Sequence, residues 1–267
     1  MENVLKKIIE KKKERIKTYK KNYPENKNLK NIKNTKNFTN FKEKIKKRSS
    51  ENKISIIAEI KKASPSAGLI VKNFNPLDIA KLYIQNGVPF LSVLTEEDFF
   101  FGNLEHIKKI KSSYQIPILC KDFFIDTYQV SLAKSFGADC ILIILSAVDK
   151  ILAKDIYQAA NDLNISTLIE VHSESEAETA LTFENSLIGI NNRNLKTLKV
   201  SLNTSVNLSE ILGSHKNPLI CESGIHSKDN INFIIKNAKI HNFLIGESIL
   251  KSENIALKIK ELTQISL

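Results

Sequence analysis

The sequence predicts an α/β fold, a closed (β/α)8 TIM barrel with an N-terminal helical extension, and three observations carry that prediction. Eight short runs rich in Ile, Leu and Val follow one another after residue 50, at intervals of about 20–35 residues. The segments between them space their apolar residues three and four apart and often close on Gly or Asn. No linker or change of composition interrupts the alternation. Near-continuous apolar runs suit parallel strands covered on both faces, and each interval has room for a crossover helix. A chain of 267 residues holds one such barrel. Residues 1–267 are therefore expected to be a single barrel domain, with 1–50 as its basic helical extension.

In chain order, "NVLKKIIEKKKERI" opens the extension, with Val4, Leu5, Ile8, Ile9 and Ile16 on roughly one helical side. One or two helices are expected over residues 1–48, covering an end of the barrel. The strand runs are "ISIIAEI" (54–60), "PFLSVL" (89–94), "IPILCK" (116–121) and "ADCILIIL" (138–145). They continue with "ISTLIEV" (165–171), "SLIGIN" (186–191), "NPLICE" (217–222) and "NFLIGE" (242–247). Helices are expected between them in stretches such as "PLDIAKLYIQNG" (76–87), "TYQVSLAKSFG" (127–137) and "KDNINFIIKNA" (228–238).

Composition narrows the function classes. No apolar run approaches the roughly 20 residues of a membrane span, and the N-terminus has no signal-peptide pattern, so a cytoplasmic protein is expected. Cys120, Cys140 and Cys221 are far apart and lie in or beside strand runs, which suits small buried hydrophobes. The five histidines show no metal-binding spacing, and no metal site is expected. The net charge of +11 belongs to the extension: residues 1–50 hold 18 Lys/Arg against 5 Glu, and the remainder holds 22 against 24 acids. That segment carries no nucleic-acid-binding signature, so a solvated basic surface is the expectation.

Barrel enzymes place their chemistry at the C-terminal ends of the strands. Polar residues collect there in this sequence. Glu59 and Lys61 end the first run, Glu96 follows the second, Lys121 ends the third and Glu170 the fifth. Asn191 and Arg193 end the sixth, Glu222 and Ser223 the seventh. Two-residue spacing puts Glu59 with Lys61, and Asn191 with Arg193, on one strand face. Gly224 and Gly246, after the last two strands, let backbone approach a ligand where such barrels often bind phosphate. A phosphorylated small molecule is the ligand class this favours.

The stretch "IIAEIKKASPSAGLI" resembles the signature of indole-3-glycerol-phosphate synthases, a strand with E-x-K followed at once by a Ser-Pro-Ser turn. The likeness continues through "SVLTEEDFFFGN", "PILCKDFFIDTYQ", "GADCILIIL", "LIEVH", "GINNRNLKTL", "CESGI" and "FLIGESIL", in family order over essentially the whole chain. It implies ring closure of 1-(2-carboxyphenylamino)-1-deoxyribulose 5-phosphate with loss of CO2 and water, by general acid–base catalysis with no cofactor. By the same resemblance Lys121 is the acid toward the ketone oxygen, in an apolar setting of Leu119 and Cys120 that lowers its pKa. Glu170 is its partner in proton transfer during dehydration. Glu59 stabilises the cationic ring-closed intermediate, and Lys61 pairs with the substrate carboxylate and shares acid duty. Which lysine acts at which step stays open.

The resemblance also adds Asn191 and Glu222 to the polar mouth and Ser223 beside substrate hydroxyls. Arg193 holds carboxylates in place. Phe100, Phe123, Leu142, Leu195 and Ile245 form the apolar wall for the anthranilate ring. Ser64, Gly224, Gly246 and Glu247 contact phosphate. The sequence departs from the family pattern at Asn194, Phe101 and Cys120. Two alternatives remain: a sibling phosphate-binding barrel, such as phosphoribosylanthranilate isomerase or a tryptophan synthase α chain, and a non-catalytic barrel holding nucleic acid through its basic N-terminus. The expected partner is the small-molecule substrate, without a membrane or nucleic acid. A monomer is expected, and docking to other pathway enzymes stays open.

Overall fold

The computed structural model describes residues 4–34, 38–194 and 197–264. Eight parallel strands close into a barrel: β1 (Ser55–Ile60), β2 (Phe90–Leu94), β3 (Ile118–Lys121), β4 (Cys140–Ile144), β5 (Ser166–Val171), β6 (Leu187–Asn191), β7 (Leu219–Glu222) and β8 (Asn242–Ile245). Neighbours in sequence are neighbours in the barrel, and β1 pairs with β8 to close it. All eight expected strands are present, most of them a residue or two shorter. β2, β3 and β7 each start just after a proline, Pro89, Pro117 and Pro218, which has no N–H for the ladder. β8 stops at Ile245 because the chain turns at Gly246 into the short helix Glu247–Leu250.

The intervening helices begin at side-chain caps written into the sequence. Asn75 accepts from the Leu77 N–H with Pro76 at the first helical position, Asn103 from Glu105 and Asp149 from Leu152. Ser227 and Asn230 form a reciprocal capping box. The helices pack on the outward strand residues, such as Ala58, Val93, Ile143 and Cys221, to form the larger core. The inward residues form a second core inside the barrel, including Ile57, Phe90, Leu119, Leu142, Leu168 and Leu244. The three cysteines are free and buried.

Among the described residues, three helices rather than one or two lie ahead of the barrel: α1 (Val4–Asn22), α2 (Glu25–Asn34) and α3 (Phe41–Ser50). α3 plugs the end where the strands start. Phe41 and Ile45 are fully buried there, and the Phe41 ring centroid is 4.9 Å from that of Phe90. The Arg48 Nε donates to Ser55 Oγ at 3.0 Å, and Asn242 Nδ2 donates to Ser49 Oγ at 3.2 Å. α1 lies at the opposite end, where Val4, Leu5 and Ile8 reach the mouth.

The basic face of α1 is in part engaged with the barrel, which corrects the expectation of a merely solvated surface. Arg15 grips Asp98 with two hydrogen bonds of 3.0 and 2.8 Å, Lys20 meets Asp126 at 2.7 Å, and Lys12 is buried against Asp122. No described helix is long and apolar enough to cross a membrane.

Candidate active site

The strand ends open into one cavity of about 180 Å³. Glu59, Lys61, Lys121, Glu170, Asn191 and Glu222 all line it, as do Arg193 and Ser223. They face it because inward and outward side chains alternate along each strand, and β1, β3, β5, β6 and β7 carry a polar inward residue at their C-terminal ends, whereas β4 and β8 end on inward Ile144 and Leu244. Glu59 Oε1 is 2.6 Å from Lys61 Nζ, so the pair at the end of β1 is a nearly buried salt bridge. Opposite it, Gly246 supplies space, since a Cβ there would lie 2.3 Å from Glu59 Oε1.

Lys121 occupies the centre of the charge cluster. Its Nζ is 2.6 Å from Glu222 Oε2 and 3.6 Å from Glu170 Oε2. Burial presses its pKa down, but Glu222, Glu170 and Glu59 more than restore it, and the ammonium is held above its ordinary value. The expected lowering by Leu119 and Cys120 is therefore wrong. Leu119 does share the barrel interior, but Cys120 points to the outer core, and three carboxylates outweigh both.

The two carboxylates beside Lys121 differ. Burial raises both, yet Glu170 has partners on each oxygen: Lys121 on Oε2, and Asn191 Nδ2 (3.1 Å) and His172 Nε2 (3.2 Å) on Oε1. These hold Glu170 well below the ordinary carboxylate range. Glu222 Oε1 has no hydrogen-bond partner among the described residues. Burial, with the like charge of Glu170 added, outweighs Lys121 and lifts Glu222 above the ordinary carboxylate range. Glu222 fits only because residue 189 is glycine: a Cβ there would come within 2.1 Å of Glu222 Oε1.

Other expected residues fall into place or need correction. Phe100, Phe123 and Leu142 line the cavity, with the two phenyl centroids 6.3 Å apart. Ile245 lines it too, although its side chain packs in the outer core, and Leu244 is the inward side chain of β8. Leu195 lies outside the described residues. Glu96 does not line the cavity; its carboxylate accepts the N–H groups of Asp98, Phe99 and Phe100, folding the loop that presents Phe100.

Ser64, Gly224 and Gly246 border the cavity at its other side. Gly224 has φ +83 and Ser223 φ +64, a left-handed turn that glycine eases. Glu247 is held below the ordinary carboxylate range by Lys251 at 2.7 Å, with Arg193 at 3.8 Å. A charged carboxylate repels phosphate, so only the Glu247 backbone suits the expected contact. The same residue supports Arg193 from across the mouth. Asn194 organises its own loop instead, accepting the Thr197 N–H at 2.9 Å.

A family model described as indole-3-glycerol phosphate synthase matches residues 5–262. The chain belongs to the indole-3-glycerol phosphate synthase family. Among its indole-3-glycerol phosphate synthase relatives, that of Legionella pneumophila (strain Lens) is 38% identical over 262 residues, covering 98% of this chain and 99% of the relative. That of Albidiferax ferrireducens is 41% identical over 208 residues, 78% of each chain. A solved 3-hexulose-6-phosphate synthase aligns with a TM-score of 0.63 at 15% identity, over 79% of this chain and 98% of that one. The phosphoribosylanthranilate isomerase of Thermotoga maritima aligns at 0.55 and 10%, over 78% and 96%. These two show the fold alone. The sibling-barrel alternative thus shares the architecture, whereas the synthase family shares the sequence.

Membership in the synthase family does not make every contributor visible in advance. Val4, Leu5 and Ile8 of α1 were expected only to help cover an end of the barrel; they wall the cavity. Lys12, His172 and Gly189 were missed. The signal for Lys12 was present, a lysine four residues from both Ile8 and Ile16 on the apolar side of the helix.

Proposed function

We propose that this chain closes an indole ring, converting 1-(2-carboxyphenylamino)-1-deoxyribulose 5-phosphate to indole-3-glycerol phosphate, CO2 and water. It is then a carboxy-lyase of tryptophan biosynthesis. The observation that carries the residue assignments is Lys121, an ammonium only 16% exposed between Glu222 and Glu170 that faces the cavity shared with Glu59 and Lys61.

The ring carbon bearing the carboxylate attacks the ketone carbon, and the carbonyl electrons move to oxygen. Lys121 gives that oxygen a proton; its carboxylate neighbours keep it charged until the substrate is bound. The ring is then cationic, and Glu59 stabilises it. CO2 leaves and its bonding electrons restore the aromatic ring. The new hydroxyl departs as water with a proton from Lys61, or from Lys121 once solvent has reprotonated it, while Glu170, ionised, takes the proton from the carbon beside nitrogen.

Lys61 and Arg193 suit the substrate carboxylate, and Phe100, Phe123 and Leu142 suit the anthranilate ring. Asn191 fixes Glu170, and Ser223 lies where it can meet substrate hydroxyls. Phosphate falls to Ser64 and the backbone at Gly224, Gly246 and Glu247. Holding both ends folds the flexible chain back on the ring.

The proposal includes a single folding domain, a monomeric state and a cytoplasmic location. One cooperative unfolding transition and light scattering test the first two, and cell fractionation the third. The function itself is tested by indole fluorescence. The chain has no Trp, so emission that rises with substrate comes from product. A rise abolished by Lys121→Ala supports the reading, and a flat trace from folded wild type overturns it.

A further inference from the structure

His172 lies just past β5, behind Glu170. Glu170 lines the cavity and His172 does not. The imidazole is nine-tenths buried, with Nε2 3.2 Å from Glu170 Oε1 and Nδ1 3.4 Å from Glu176 Oε2. Glu176 also accepts the backbone N–H of His172 at 2.7 Å, so the helix Glu174–Ala180 fixes its place against the ring. Nδ1 shares a hydrogen bond with Glu176, whereas Nε2 has no hydrogen-bond partner among the described residues, so its contact with Glu170 is one of charge, which an imidazolium makes and a neutral ring does not. Beyond Glu170 the charged groups are Lys121, on its other oxygen, and then Glu222.

We propose that His172 is a positioning residue for Glu170, held as an imidazolium by Glu176. This deepens the ring-closure reading and rests on it. Asn191 donates a hydrogen bond to Glu170 Oε1, and the His172 charge 3.2 Å from the same oxygen adds to it, so the two together hold the carboxylate's orientation. Oε2 remains as the oxygen that meets Lys121 and the cavity, and so the one that takes the proton in dehydration. The imidazolium also offsets the like charge of Glu222, which otherwise favours a protonated, inactive Glu170. Burial works against a charged His172, but the two carboxylates outweigh it and place its pKa at about 10.

The test combines pH–rate profiles of His172→Gln and Glu176→Gln with an NMR titration of the histidine rings in the whole wild-type chain. His172→Gln is expected to lower kcat about tenfold to a hundredfold, the scale of a misplaced group, with KM changed far less. Its acidic limb is expected to move up by about one pH unit, because Glu170 loses one of its two cationic neighbours and keeps only Lys121. Glu176→Gln moves the limb the same way by less. The His172 ring is expected to stay an imidazolium at pH 8, where an ordinary histidine, with a pKa of about 6.5, is neutral.

A wild-type limb in both variants overturns the proposal, as does a His172 that titrates near its ordinary value. If His172→Gln does not fold, Glu176→Gln and the titration decide. A wild type without turnover whose His172 is still charged at pH 8 overturns the ring-closure reading, a failure distinct from that of the positioning role.

Discussion

Lys12 Nζ on α1 lies 2.6 Å from Asp122 Oδ1, one residue past Lys121, and the lysine side chain is wholly buried. Asp122 Oδ2 accepts a 2.7 Å hydrogen bond from Thr95 Oγ1, at the end of β2. One ion pair thus ties the N-terminal extension to the loops that carry Phe100 and Phe123. Lys12→Met leaves Asp122 buried without its counter-charge, at an expected cost of about 3–5 kcal/mol. Urea unfolding measures this, and a loss below about 1 kcal/mol would contradict the coupling.

Lys121→Ala and Glu170→Gln are each expected to reduce turnover by at least about a hundredfold, the usual scale for a general acid or base. The loss should fall mainly on kcat, since neither residue is assigned to hold the phosphate. Stopped-flow fluorescence of indole formation provides the check, and wild-type rates in either variant would remove that residue from its role.

Two glycines seat catalytic candidates. Gly189→Ala puts a methyl within 2.1 Å of Glu222 Oε1, and Gly246→Ala puts one 2.9 Å from Glu59 Cβ. Each is expected to displace its carboxylate, costing about 1–3 kcal/mol of stability as overpacking does and lowering kcat. Gly213→Ala is the control. A Cβ there meets nothing within 4 Å, so thermal unfolding should show no loss and a gain of up to about 1 kcal/mol.

Stability should fall as pH rises from about 7 to 10, in part through His172. Its folded pKa of about 10 is above the unfolded value of 6.5. The folded state therefore binds the extra proton over that interval, and the stabilisation is complete only below the unfolded pKa. Denaturation midpoints at pH 7 and pH 10 should differ more for wild type than for His172→Gln. Equal differences would refute the assignment.

Much of the candidate site was legible because strand chemistry is local. A polar residue ending an apolar run, as at Glu59, Lys121, Glu170, Asn191 and Glu222, says both where the strand stops and which end is the mouth. Glu96 shows the limit. It follows its strand in the same way, yet its carboxylate turns back onto three backbone N–H groups, a choice made by loop geometry. Ile245 shows another: it lines the cavity as expected, but parity gives the inward phase to Leu244, which the sequence reading left out.

The sequence alone determined the barrel, its strand order and the ring of polar strand ends, because periodicity and alternation are properties of short segments. Tertiary structure decided which ends meet. Lys121 and Glu222 are 101 residues apart and 2.6 Å from each other only because the sheet closes. It also decided their charge. A pKa responds to burial and to every neighbouring charge at once, so the apolar neighbours of Lys121 in sequence pointed down while its neighbours in space hold it up. The burial of Lys12 in α1 belongs to the same class, since the counter-charge that permits it comes from a loop on the other side of the chain's first hundred residues.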